Sequence, residues 1–194
     1  MTEKISTLLH EIRNCKLCEF ASGIVPRPFV VASQNSKILI AGQAPSKSVY
    51  NKGIPWNDSS GRRLRSWLGI DEAIFYDANL VALVPMGFCY PGYGKDGDLP
   101  PRRECRDNWH DKIFELLENV KLKILVGKYA QDYHLGAASL GNLTKNVSAW
   151  RSFGGEIFPI PHPSSRNSKW FSDNSWFAEE LIPELRTAVQ SALK

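Results

Sequence analysis

Four short stretches of this chain are almost wholly aliphatic: KILIAG (37–42), NLVALV (79–84), KLKILV (121–126) and GEIFPI (155–160). Their Ile, Leu and Val do not alternate with polar residues, the pattern of strands covered on both faces. Around them the apolar positions switch to a helical period. GRRLRSWLGI sets Leu64, Trp67 and Leu68 on one face, opposite Arg62, Arg63 and Arg65. NWHDKIFELLENV groups Trp109, Ile113, Leu116 and Leu117 in the same way. KYAQDYHLG follows the third strand and closes on Gly136, a helix C-cap. SWFAEELIPELRTAVQSALK is amphipathic and is expected to bend at Pro183. Strands alternating with helices predict an α/β fold, a three-layer α/β/α sandwich on a central four-stranded parallel sheet with right-handed crossovers. No repeat or low-complexity linker divides the chain, so residues 1–194 read as one domain.

Composition changes this picture little. A length of 194 residues supports one well-packed core, and 43% hydrophobic with 23% charged residues is ordinary for a globular chain. No run of eighteen apolar residues occurs, so no membrane-spanning helix is expected. The start, MTEKISTLLHEIRNC, has no apolar core of an export signal, which predicts a cytoplasmic, reducing setting, and a monomer is expected. The net charge of +4 permits a polyanionic partner without requiring one.

In a fold of this class, ligands bind outside the carboxyl ends of the strands. GQAPSKS, VPMGFCYPG and PHPSSRN leave the first, second and fourth strands and are rich in residues that let the backbone turn sharply. The four cysteines fall into two pairs, Cys15 and Cys18 as C-x2-C, and Cys89 and Cys105 as C-x15-C. A redox dithiol would use one pair and leave the other idle. Four thiolates around one inorganic centre would use both, and spacing alone leaves zinc and an iron–sulfur cluster equally open.

The order CKLC, AGQAPS, GIPWNDSSGRRLRSWL, C-x15-C, VGKYA and HPSSRN resembles the uracil-DNA glycosylase superfamily, and within it the iron–sulfur (family 4) members. The likeness runs from Cys15 to Asn167. It implies a DNA glycosylase acting on DNA that contains a damaged base, with Cys15, Cys18, Cys89 and Cys105 holding a [4Fe–4S] cluster in a structural role. It also implies that His162 aims a donor at the leaving base, and that Ser164, Ser165 and Arg166 press into the DNA. Trp56 stands where those members have a stacking phenylalanine. Gly42, Gln43 and Ala44 form the loop that faces water and base, with Gln43 the candidate for orienting the water.

This chain departs from the pattern at three points. Gln43 replaces an acidic residue, Ala44 replaces the aspartate of another branch, and Pro85 replaces an asparagine that reads the uracil edge. Glutamine orients a water but cannot take its proton, which makes Asp58 a candidate substitute. With Pro85 offering no donor, the backbone of Met86, Gly87 or Phe88 is the candidate reader of the base. Lys47, Lys52, Arg62, Arg63, Lys95, Arg102, Arg103, Arg106, Arg166 and Lys169 lie in or beside these loops as candidate phosphate contacts. Three readings follow: a glycosylase for uracil or another deaminated base such as hypoxanthine, a non-catalytic nucleic-acid-binding member of the same superfamily, and an unrelated zinc-stabilised hydrolase. The last has no G-x-S-x-G or similar nucleophile motif to support it.

Overall fold

In chain order the strands are β1 (Ile38–Ala41), β2 (Val81–Leu83), β3 (Tyr93–Gly94), β4 (Gly97–Asp98), β5 (Leu122–Val126) and β6 (Ile157–Ile160). These come from a computed structural model, which describes residues 2–18, 23–95 and 97–194. Four of the strands form the expected parallel sheet, in the order β2-β1-β5-β6. Ile38 lies opposite both Val81 and Leu122, and Ile124 opposite Phe158. The remaining two pair as a small antiparallel hairpin with Tyr93 opposite Asp98.

The helices are α1 (Thr2–Arg13), α2 (Lys47–Lys52), α3 (Ser59–Leu68), α4 (Glu72–Tyr76), α5 (Arg103–Cys105), α6 (Asp111–Glu115), α7 (Lys128–Leu135), α8 (Leu143–Ser148), α9 (Ser168–Asp173) and α10 (Ile182–Leu193). They build the outer layers because successive strand residues point to opposite faces. Ile38 and Ile40 pack with Leu64 and Leu68 of α3 and with Leu185 and Val189 of α10. Leu39 faces the other way, onto Ile5, Leu9 and Ile12 of α1 and onto Ile113 and Leu117. Ala41 and Leu125 pack with Ala130 and Leu135 of α7. Both faces of the sheet are therefore buried, which is why its strands read as unbroken aliphatic runs.

Two helices depart from expectation. The segment expected as one helix over 108–120 is the end of a wide π-type turn at Arg106–His110, which follows α5, and then α6, which ends at Glu115. The wide turn carries His110, which is fully buried, while Cys105 just before it is buried as well. A second wide turn, Phe177–Leu181, runs directly into α10, and Pro183 falls in the first turn of that helix, at the change from the wider to the ordinary winding. Phe177 is buried beneath Trp67, with ring centroids 4.9 Å apart, and Trp170, Phe171 and Trp176 pack against the same core.

Candidate active site

The loops leaving β1, β2 and β6 meet at the carboxyl edge of the sheet and enclose a cavity of about 480 Å³. Gly42, Gln43 and Ala44 line it from the first loop, Pro85 from the second, and His162, Ser164 and Arg166 from the last. Trp56, Asp58 and the hairpin residue Asp98 complete the wall.

Trp56 is held by the start of α3. Asp58 caps that helix, its carboxylate accepting the Gly61 N–H at 2.8 Å. Among the described residues, Trp56 is the one non-glycine with a positive φ, 57°. Its carbonyl accepts a hydrogen bond from Arg65 Nη1 at 3.2 Å, and the Pro55 carbonyl accepts one from Tyr76 Oη at 2.9 Å. A Cβ on Gly61 would lie 1.6 Å from the Trp56 oxygen, so only glycine permits this approach. The indole then lies across Gly42, where a Cβ would come within 3.0 Å of Cζ2.

His162 meets Trp56 in an offset stack, with centroids 5.7 Å apart and planes 27° from parallel. Asn167 Nδ2 donates to the His162 carbonyl at 2.8 Å, and Arg63 Nη1 donates to the Pro163 carbonyl at 3.2 Å, which fixes the loop. Burial pushes the His162 pKa below its ordinary 6.5, with the charge of Asp58 opposing. At neutral pH the imidazole is thus uncharged and keeps one N–H donor.

A family model of the uracil DNA glycosylase superfamily matches residues 29–186. The chain belongs to this superfamily. Its members are DNA glycosylases, hydrolases of N-glycosidic bonds. In this glycosylase-superfamily chain, the structure brings Gly42, Gln43, Ala44, Trp56, His162, Ser164 and Arg166 to one cavity and leaves other expected residues outside it.

Met86 and Gly87, expected to read the base, do not line the cavity. The Met86 N–H donates to the Gly42 carbonyl at 2.8 Å and the Gly87 N–H to the Gln43 carbonyl at 2.9 Å, so both donors are already engaged. The Met86 side chain is buried against Ala41, Leu125 and Leu135. The Phe88 N–H points to Cys105 Sγ at 3.3 Å. These residues tie the first loop to the cysteine loop instead. Ser165 is exposed and lies outside the cavity lining. Among the candidate phosphate contacts, Arg106 pairs with Asp107 and Lys169 with Asp173, while Lys47, Lys52, Arg62, Lys95 and Arg103 are exposed.

Asp98 is the acidic lining residue that sequence reasoning missed. It sits in a two-residue strand with no hydrophobic pattern, and the glycines Gly94 and Gly97 that pair in the hairpin are its only sequence signal.

On the other side of the β2 loop, Cys15, Cys18, Cys89 and Cys105 line one small cavity together with Phe88 and Trp109. Cys18 and Cys105 are buried, Cys15 and Cys89 half-buried. Burial pushes the Cys89 thiol up to about 12 and the Cys105 thiol up to about 11, although backbone N–H groups of Arg27, Phe88 and Cys89 point at these sulfurs. Among the described residues, no group of three His, Cys, Asp or Glu side chains is arranged to hold a metal ion as the chain stands. No helix among them is long and apolar enough to cross a membrane.

Proposed function

We propose that this protein is a DNA glycosylase that hydrolyses the N-glycosidic bond of a deaminated base, uracil foremost, flipped out of DNA during base excision repair. The observation that carries the reading is the convergence of an indole face and a neutral imidazole donor on one cavity. Its volume of about 480 Å³ falls within the usual range for small-ligand pockets, about 300–1,000 Å³.

A flipped base is read by stacking and by hydrogen bonds to its edge. It does not insert between Trp56 and His162, because their 5.7 Å separation is less than the about 7 Å that two ring contacts need. It stacks instead on the part of the indole beyond the imidazole, with an edge carbonyl at the His162 N–H. As the C1′–N bond breaks, the electron pair stays on the base, and a donor already aimed at the developing charge stabilises it without reorganisation. Arg166 at the cavity mouth and the exposed lysines and arginines hold the flanking phosphates, which makes binding salt-dependent.

The test is excision from a uracil-containing oligonucleotide, read as strand breakage after alkali, with a hypoxanthine-containing oligonucleotide beside it. The second arm is needed because Pro85 lines the cavity with its carbonyl facing His110 Nε2 at 3.2 Å, so it offers the base no donor. Release of uracil supports the proposal, and release of hypoxanthine alone moves the specificity. Binding without product would instead make the chain a non-catalytic member of its superfamily.

We also propose that Cys15, Cys18, Cys89 and Cys105 hold a [4Fe–4S] cluster, with zinc as the alternative. The residues fit such a group, with four sulfurs lining one cavity and backbone N–H groups of Arg27, Phe88 and Cys89 directed at two of them. Zinc would draw all four sulfurs to about 2.3 Å from one point. A cluster spreads its ligands over four iron corners. When bound it supplies a cross-link between the segment after α1 and the loop after β2, and metal binding of this kind stabilises the fold directly. The expected preparation is brown, with broad absorption near about 400 nm, and Cys105→Ala loses both the colour and thermal stability. A colourless protein with one zinc per chain would overturn the cluster.

A further inference from the structure

We propose that Asp98 is the carboxylate that receives the proton of the attacking water, the role that Gln43 and Ala44 lack the chemistry to fill. The proposal rests on the glycosylase reading and deepens it. Of the described residues lining the cavity, only Asp58 and Asp98 are acidic. Asp58 is committed elsewhere, with Oδ1 bound to the Gly61 N–H at 2.8 Å as the cap of α3. Asp98 makes no such commitment to a helix. It lies on the β3–β4 hairpin, paired with Tyr93, and lines the cavity beside Gly97.

Two contacts hold the hairpin against the site. Gln43 Nε2 donates to the carbonyl of Leu99, the residue next to Asp98, at 3.4 Å. Gln43 thereby serves as a positioning residue that joins the β1 loop to the hairpin. From the opposite wall, Arg166 packs over Gly97 so closely that a Cβ there would stand 2.9 Å from Nη1. Gly97 adopts φ 137°, a conformation that residues with a side chain rarely adopt. Asp98 is thus held between the loop that meets the water and the loop that carries His162.

The chemistry balances without further reactants. The C1′–N bond breaks and its electron pair leaves with the base, beside the His162 N–H. The water oxygen forms the new bond to C1′, and one of its protons passes to the Asp98 carboxylate and then to solvent. The departed base takes its proton from solvent. Asp98 is exposed at the cavity mouth, yet partial desolvation raises its pKa above the ordinary 3.8, with Arg166 opposing, which favours proton uptake by the carboxylate.

The experiment measures single-turnover excision of uracil by the full chain and by Asp98→Asn and Asp98→Ala, alongside melting temperature and affinity for abasic product DNA. Asp98→Asn, which keeps the shape, is expected to slow excision by about 10²–10⁴-fold, the usual contribution of a general base. Its product affinity should stay within about twofold, since the proton acceptor acts in the transition state rather than in binding. The wild-type rate should rise with pH through the raised carboxyl pKa, and Asp98→Asn should lose that limb. Arg166 and Tyr90 face Asp98, and Asp58 and His162 share the cavity, so the limb is assigned by its loss in this variant rather than by its position. Excision by Asp98→Asn within about threefold of wild type overturns the assignment and leaves the glycosylase reading intact. Equal losses of rate and product affinity overturn it as well, by making Asp98 a binding residue. A wild-type chain that releases no base overturns both.

Discussion

His162→Ala should slow base release by about 10²–10³-fold, the cost of removing one donor aimed at a developing negative charge. Affinity for abasic product DNA should change little, because the donor serves a charge that exists only as the bond breaks. The size of the effect depends on the environment of the imidazole. It lies against Trp56, where burial holds its pKa below 6.5 and a hydrogen bond is stronger than in solvent. The same burial gives the variant a second signature. Below pH 6.5 the unfolded chain takes up a proton that the folded imidazole refuses, so the stability due to this group is complete above pH 6.5 and fades as pH falls through the folded pKa. His162→Ala removes that linkage, so its melting temperature should fall less steeply on acidification than that of wild type. An excision rate within a few-fold of wild type would show that the leaving base is stabilised from elsewhere.

Much of the fold was legible because its cause is local to each segment. A sheet buried on both faces needs unbroken aliphatic strands, and each of the four expected runs contains one. The cysteine pairs and the loops around Gln43 and His162 were legible as motifs, because turn residues and ligand types stand out against the sequence. What escaped notice depends on contacts between distant segments. Asp98 belongs to a hairpin of two-residue strands, too short for any period to register. Met86 and Gly87 looked available because Pro85 beside them is not a donor, yet their N–H groups are used by carbonyls some forty residues earlier. The wide turns at Arg106–His110 and Phe177–Leu181 have hydrogen-bond spacings that an apolar pattern does not distinguish from an ordinary helix.

Gly61→Ala should damage both stability and activity, although residue 61 does not line the cavity. A methyl group there would overlap the Trp56 carbonyl oxygen at 1.6 Å and its carbon at 2.5 Å. Neither atom is the end of a flexible side chain, so the backbone itself has to move. Helix α3 cannot yield easily, since Leu64 and Leu68 one and two turns on are fully buried in the core. The Trp56 turn must give way instead, taking with it the positive φ and the bond from Arg65 that aim the indole. Forced overpacking of this kind costs about 1–3 kcal/mol, which for a domain of this size lowers the melting temperature by about 2–12 °C. The activity loss should be larger in proportion, because a displacement of about 1 Å in a positioning group can cost 10²-fold in rate. Gly61→Ala should therefore excise far more slowly than Trp56→Phe, which keeps the turn and an aromatic face. The same excision assay and a thermal melt compare the two variants. Equal rates would mean that the left-handed turn at Trp56 is incidental to where the base docks. A large gap would mean that a helix glycine, through one carbonyl, sets the stacking platform of the site.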